Sequence, residues 1–179
     1  MGILQIRKIT QSVENTPFDC GVESINEYVR KSYYPLIIQQ AYAYSIASRD
    51  KVLGYYQVLF RDIELDKFPE YIAGYSFDDR YLKLTALHIR YIAIDKKYQR
   101  LGIGTSVMRI IIKSCRELAD VWPVRVITLD ANVDLVRWYS SFDFKQTLSN
   151  IAGQDGVTTM MFLDCMRYSA ELDEYDSVL

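Results

Sequence analysis

The stretch Tyr91-Ile92-Ala93-Ile94-Asp95-Lys96-Lys97-Tyr98-Gln99-Arg100-Leu101-Gly102-Ile103-Gly104-Thr105-Ser106 decides the fold. It reads as an apolar strand, then a basic turn, then two closely spaced glycines that open a helix. Glycines let a backbone approach an anion. The first N–H groups of a helix lack internal partners, and its dipole favours negative charge at that end. Lys96, Lys97 and Arg100 add positive charge at the same mouth. The combination predicts a strand–loop–helix that holds phosphate. It is neither a dinucleotide fingerprint, whose third glycine is replaced here by Val107, nor a P-loop, because no Gly-Lys-Ser/Thr occurs.

Working outward, residues 84–94 read as a central strand. Its period of two puts His88, Arg90, Ile92 and Ile94 on one face and Ile89, Tyr91 and Ala93 on the other. Residues 104–119 are the strongest helix, with Val107, Met108, Ile111, Cys115 and Leu118 at helical spacing. A short buried strand is expected over 124–129, and a short helix over 132–141 with Asn132 as its cap. Residues 144–145 and 158–163 read as closing strands around a turn at 153–156. Towards the N-terminus, 3–9 reads as a strand. Val22, Ile25, Tyr28 and Val29 then share a helical face, with Asp19 or Cys20 as the cap. Pro35 interrupts the next segment, and a second short helix is expected through Gln39 and Gln40. Residues 42–48 and 52–61 form a hairpin about Arg49-Asp50-Lys51. Residues 62–81 read as an insertion whose tyrosines either cover a cleft or pack as a lid.

At 179 residues the chain is read as one domain over 1–164, followed by an acidic tail over 165–179. A formal charge of −2 argues against non-specific nucleic-acid binding by the whole surface and leaves room for a local basic patch. The fifteen tyrosines read mainly as half-buried packing residues with one wet end. Cys20, Cys115 and Cys165 are isolated, which suits free thiols in a reducing compartment better than a disulfide framework or a zinc site. No apolar run reaches membrane-spanning length, and a cytoplasmic protein with no membrane partner is expected.

Gln99-Arg100-Leu101-Gly102-Ile103-Gly104 matches the pattern Gln/Arg-x-x-Gly-x-Gly/Ala. It follows a strand ending Ile92-Ala93-Ile94-Asp95 and precedes a long amphipathic helix. Trp138-Tyr139-Ser140-Ser141-Phe142-Asp143-Phe144 stands where Phe-Tyr-x-x-x-Gly-Phe is expected, with Asp143 in place of glycine. Over nearly its whole length the chain resembles the GNAT superfamily of N-acetyltransferases. Phe18-Asp19-Cys20-Gly21, Ile25-Asn26-Glu27-Tyr28-Val29-Arg30, Gly54-Tyr55-Tyr56 and the strand Ile89–Asp95 resemble a narrower subgroup. That subgroup includes the acetyltransferase toxins of toxin–antitoxin pairs, which acetylate aminoacyl-tRNA.

The resemblance implies an α+β fold, a mixed central sheet of six to seven strands flanked by about four helices. It implies acetyl-CoA as acyl donor, no metal, and direct attack by an amine without an acyl-enzyme. By resemblance, the edge of Ile92, Ala93 and Ile94 pairs with the pantetheine amides. Gln99 and the amides of Arg100, Leu101, Gly102, Ile103, Gly104 and Thr105 cradle the pyrophosphate, and Asn132 contacts the donor. Tyr139 is the expected general acid for the departing thiolate, a phenol of reference pKa about 10 being close enough to a thiol. Without the motif, Tyr139 reads as packing against Leu135. Arg90 is the expected acceptor-binding residue, meeting an acidic or phosphate-bearing acceptor or else pairing with Asp78 or Asp79. His88 lies early in the strand and reads as a partly exposed structural histidine, so no general base stands out. The main reading is acetylation of a primary amine. Its alternatives are aminoacyl-tRNA as the acceptor, or an acyl-CoA-binding regulator without acceptor chemistry. A homodimer through the N-terminal helices is compatible with the superfamily.

Overall fold

The computed structural model describes residues 3–49, 51–73, 82–153 and 156–165. The tail from 166, the centre of the 153–156 turn, Asp50 of the expected hairpin turn, and 74–81 with Asp78 and Asp79 lie outside the described residues.

Runs of β-branched and aromatic residues build seven strands: β1 (Leu4–Lys8), β2 (Tyr42–Ser48), β3 (Lys51–Glu64), β4 (Lys83–Ile94), β5 (Val126–Asn132), β6 (Lys145–Gly153) and β7 (Gly156–Asp164). They form one sheet in the order β1-β2-β3-β4-β5-β7-β6. Only β4 and β5 pair in parallel. The mixed sheet is the expected one. The helices are α1 (Glu23–Arg30), α2 (Tyr33–Ile37), α3 (Glu70–Ala73), α4 (Ile103–Ala119) and α5 (Val136–Ser140). The apolar stripe of α4, including Val107, Met108, Ile111 and Cys115, packs on Leu87, Ile89, Ile127 and Leu129. Val29 of α1 and the partly buried Leu36 of α2 cover Tyr55, Tyr91 and Ala93 on the opposite face. Among the described residues no helix is long and apolar enough to cross a membrane, and no cluster of three His, Cys, Asp or Glu is placed to hold a metal ion.

Several local expectations change. Neither Asp19 nor Cys20 caps α1; Val22 takes that position without a side-chain bond. Asp19 instead accepts hydrogen bonds from the Gly21 N–H and from Asn26 Nδ2. Val22 and Tyr28 point outward, and the helix buries Asn26 and Val29. Pro35 does not interrupt α2 but sits in its first turn, where a missing N–H costs no bond. The helix stops short of Gln39 and Gln40, because Gln39 is left-handed at φ +58°. β5 starts at Val126 and continues to Asn132, so the helix expected from 132 is a 3-10 turn (Val133–Leu135) followed by α5. Asn132 still caps it, accepting from the Asp134 N–H at 3.2 Å. β6 is far longer than the two residues expected at 144–145.

The largest correction concerns β4. Its pairing with β3 steps from Gln57↔Tyr91 to Val58↔Ile89, so Arg90 is the extra residue of a β-bulge. A bulge reverses the in–out alternation beyond it. Leu87 and Ile89 before it, and Ile92 and Ile94 after it, therefore all face α4, whereas Tyr91 and Ala93 face α1. His88 and Arg90 do not share a face with Ile92 and Ile94, and Ile89 does not share one with Tyr91.

Candidate active site

β4 and β5 pair only from Ala86↔Val126 to Ile89↔Leu129. Beyond that point β4 stays with β3 as far as Ile94, and β5 follows β7 as far as Asn132. The two parallel strands thus part at their C-terminal ends, and among the described residues the edge of 90–94 has no strand partner on that side. Gly54 opposes Ile94 on β3, and a Cβ there would lie 2.3 Å from the Ala93 carbonyl oxygen. Only glycine lets β3 run flush behind this edge.

The phosphate-type mouth lies at the end of β4. Gly102, left-handed at φ +77°, is the N-cap of α4, and nothing stands within 4 Å of where its Cβ would be. A Cβ on Gly104 would meet only the Trp138 ring, at 3.6 Å. The protein's own packing therefore does not demand glycine at 104, and the space before the helix is open. The cradle fits a diphosphate, held by free N–H groups and the dipole of a 17-residue helix.

The polar side chains around this mouth are arranged differently from expectation. Gln99 turns its amide inward and donates to the Cys20 carbonyl at 2.8 Å and the Ile94 carbonyl at 2.9 Å. It ties the turn to the loop before α1. Lys96 is ion-paired with Asp19, whose carboxyl it holds down to about 2 with help from the Gly21 N–H. Lys97 and Arg100 remain exposed at the mouth.

Tyr139 stands on α5, against the same core that α4 covers. Its ring packs edge-on to Trp138 and Phe144, with centroids at 4.7 Å and 6.2 Å. Asp143, where glycine was expected, adopts φ +69°, a conformation Asp tolerates better than most residues, and the turn into Phe144 is kept. Loss of water around the ring pushes the Tyr139 phenol up to about 12. Among the described residues its hydroxyl has no hydrogen-bond partner. The phenol stays protonated through the physiological range.

His88 is buried, not partly exposed as expected. Its Nδ1 lies 3.1 Å from Thr128 Oγ1, in the paired part of β4 and β5 below the fork. Burial pulls it down to about 4 against the attraction of Asp130, so the ring is neutral at physiological pH. An unfolded histidine titrates near 6.5, so unfolding takes up a proton as the pH falls from about 6.5 towards 4. The stabilising effect is present above that window and lost as the pH drops through it. Wild type is expected to lose about 2 to 3 kcal/mol from this source by pH 4. His88→Gln should flatten that part of the curve, as read from denaturant midpoints at pH 7 and 4.5.

The structure adds Asp130 and Arg61, which sequence reasoning missed. Arg61 Nη1 lies 3.5 Å from Asp130 Oδ2, and His88 Nε2 lies 3.9 Å from the same oxygen. The one available signal was the alternation Thr128–Asp130 against Ile127–Leu129, which extends the strand past its expected end.

Residues 69–163 match the acetyltransferase (GNAT) domain family, and the chain belongs to it. It is an acyl-CoA-dependent acetyltransferase by class. Among characterised proteins it is similar to a tRNA-acetylating toxin of Mycobacterium tuberculosis (strain ATCC 25618 / H37Rv), with 26% identity over 141 residues, 78% of this chain and 82% of the relative. Its fold is that of AtaT complexed with acetyl-methionyl-tRNAfMet, at a TM-score of 0.75 and 20% identity over 95% of this chain and 98% of that one. It is likewise that of AtaTR bound with AcCoA, at a TM-score of 0.68 and 19% identity over 94% and 96%.

Proposed function

We propose that the chain moves the acetyl group of acetyl-CoA to the α-amino group of aminoacyl-tRNA by direct attack, with Tyr139 protonating the departing thiolate. One observation carries the transfer chemistry: the fork of β4 and β5 opens towards the glycine mouth of α4, and an unpartnered phenol stands on the α4 side. The edge of Ile92, Ala93 and Ile94 takes the pantetheine amides. The amides from Arg100 to Thr105 take the pyrophosphate. Asn132 ends β5 and lines the fork with its backbone, its side chain being spent on the cap. Such positioning converts a bimolecular attack into a nearly intramolecular one.

The acceptor reading is supported by the tRNA-directed relatives and by a cavity on the α1 side. There the Arg90 guanidinium lies 4.7 Å over the Tyr28 ring. Arg30, Lys31, Tyr33 and Tyr34 line the same cavity of about 550 Å³. Aromatic faces beside cations are the composition that holds single-stranded nucleic-acid ends. Among the described residues Arg90 makes no ion pair, which leaves it for a phosphate. A charged tRNA and three free, buried cysteines suit a cytoplasmic protein.

The test is an acceptor panel with radiolabelled acetyl-CoA: charged tRNA, uncharged tRNA, polyamines and peptides. Label is expected in charged tRNA alone. Label confined to polyamines or peptides would overturn the tRNA reading, and transfer to nothing would overturn the transferase reading with it.

A further inference from the structure

On the side of the sheet away from α4, each arm of the fork carries a charged residue at its first position past the last β4–β5 pair, Ile89↔Leu129. These are Arg90 on β4 and Asp130 on β5. Ile127, Leu129 and Ala131 of β5 belong to the core that α4 covers, so Thr128 and Asp130 face the other way. Asp130 is a third exposed, and Arg61 and His88 approach one of its oxygens at 3.5 Å and 3.9 Å. A long, wet ion pair of this kind contributes about 0–1 kcal/mol to stability. The neutral His88 adds no compensating charge. Stability therefore gives no reason for a carboxylate at the point where the strands part.

We infer that Asp130 receives the acceptor amine, an inference that rests on the acetyl-transfer reading. The amine enters from the Arg90 and Tyr28 side and donates an N–H hydrogen bond to the Asp130 carboxylate. That bond turns the nitrogen lone pair towards the thioester carbonyl held in the fork. As the C–N bond forms, the nitrogen's N–H groups become acidic, and one proton passes to Asp130 and from there to solvent. As the C–S bond breaks, the sulfur takes the Tyr139 proton on the α4 side, and Tyr139 recovers a proton from solvent. One proton is thereby moved from nitrogen to sulfur, and both side chains end as they began. Arg61 is a positioning residue that holds the carboxylate beside the fork. The two proton-handling groups lie on opposite faces of one opening, so the amine and the thiol do not compete for the same space.

The test uses the full chain, acetyl-CoA and bulk aminoacyl-tRNA. Asp130→Asn is expected to lower kcat/KM for charged tRNA about 100-fold, the lower end of what a positioned proton acceptor contributes. The Kd of acetyl-CoA, read by calorimetry, should stay unchanged and also shows that the variant is folded. Asp130→Glu should recover part of the loss, and added formate should partly restore Asp130→Ala. Arg61→Gln, which leaves the carboxylate in place, should lose less than Asp130→Asn. A rate for Asp130→Asn within about threefold of wild type, with normal donor binding, would overturn the inference. If wild type leaves charged tRNA unlabelled, the acceptor reading fails on its own. The same Asp130 comparison, run with whichever amine the panel labels, then still decides the role of Asp130.

Discussion

Tyr139→Phe is expected to lower kcat by about 100- to 10,000-fold, the range a positioned general acid contributes, while the Kd of acetyl-CoA stays unchanged. The substitution removes one oxygen and keeps the ring against Trp138 and Phe144. No cavity forms. The lost hydroxyl has no partner among the described residues, so folding stability should hold or rise slightly. The pH profile separates this role from a packing role. A phenol pushed up to about 12 stays protonated through the whole working range. Wild type should therefore show no alkaline decline from Tyr139 below about pH 11, only an acid-side fall as the acceptor amine protonates. Turnover unchanged in the Phe variant would remove Tyr139 from the chemistry.

The second large effect is expected at the helix mouth. Gly102→Glu and Gly104→Glu should each weaken acetyl-CoA binding about 100-fold or more, since a like charge placed against the pyrophosphate costs several kcal/mol. The two positions are not equivalent controls. Gly102 is left-handed, so any side chain there also strains the backbone, at about 1–2 kcal/mol. Gly104 lies inside α4, and a Cβ there makes an ordinary contact with Trp138. Gly104→Ala should therefore leave the fold intact and gain about 0.5–1 kcal/mol of helix stability. Any loss of donor affinity in Gly104→Ala then reports on the ligand's space alone. Calorimetric titration that finds Gly104→Glu binding as tightly as wild type would remove the phosphate-loop assignment.

What the sequence made legible was local. Glycine spacing and a 3.6-residue apolar period announced α4, expected over 104–119 and found at Ile103–Ala119. The Asn132 cap was equally readable, because cap and capped N–H are two residues apart. The mixed sheet and the family followed from the order of such local signals. Non-local pairings were not readable. The bulge at Arg90 is set by register with β3, and a single sequence carries no mark of it. Lys96 and Gln99 looked free for phosphate until a loop nearly eighty residues earlier supplied Asp19 and the Cys20 carbonyl. Asp130 was hidden because it falls between the strand expected to end at 129 and the helix expected from 132, and it is the pairing with β7 that carries the strand on to Asn132.

The parting of β4 and β5 has a consequence for how the protein behaves when the donor is scarce. An unpaired strand edge with apolar neighbours is a template for adding another strand, and proteins usually blunt or cover such edges. In the proposed donor complex the pantetheine arm takes the place of such a covering strand. A donor that binds only the folded chain stabilises it by about 2.7 kcal/mol at a hundredfold excess over Kd. On the proposed donor assignment, added acetyl-CoA should raise the melting temperature of the chain and the donor-free form should aggregate first on heating, as read by a thermal melt followed by light scattering.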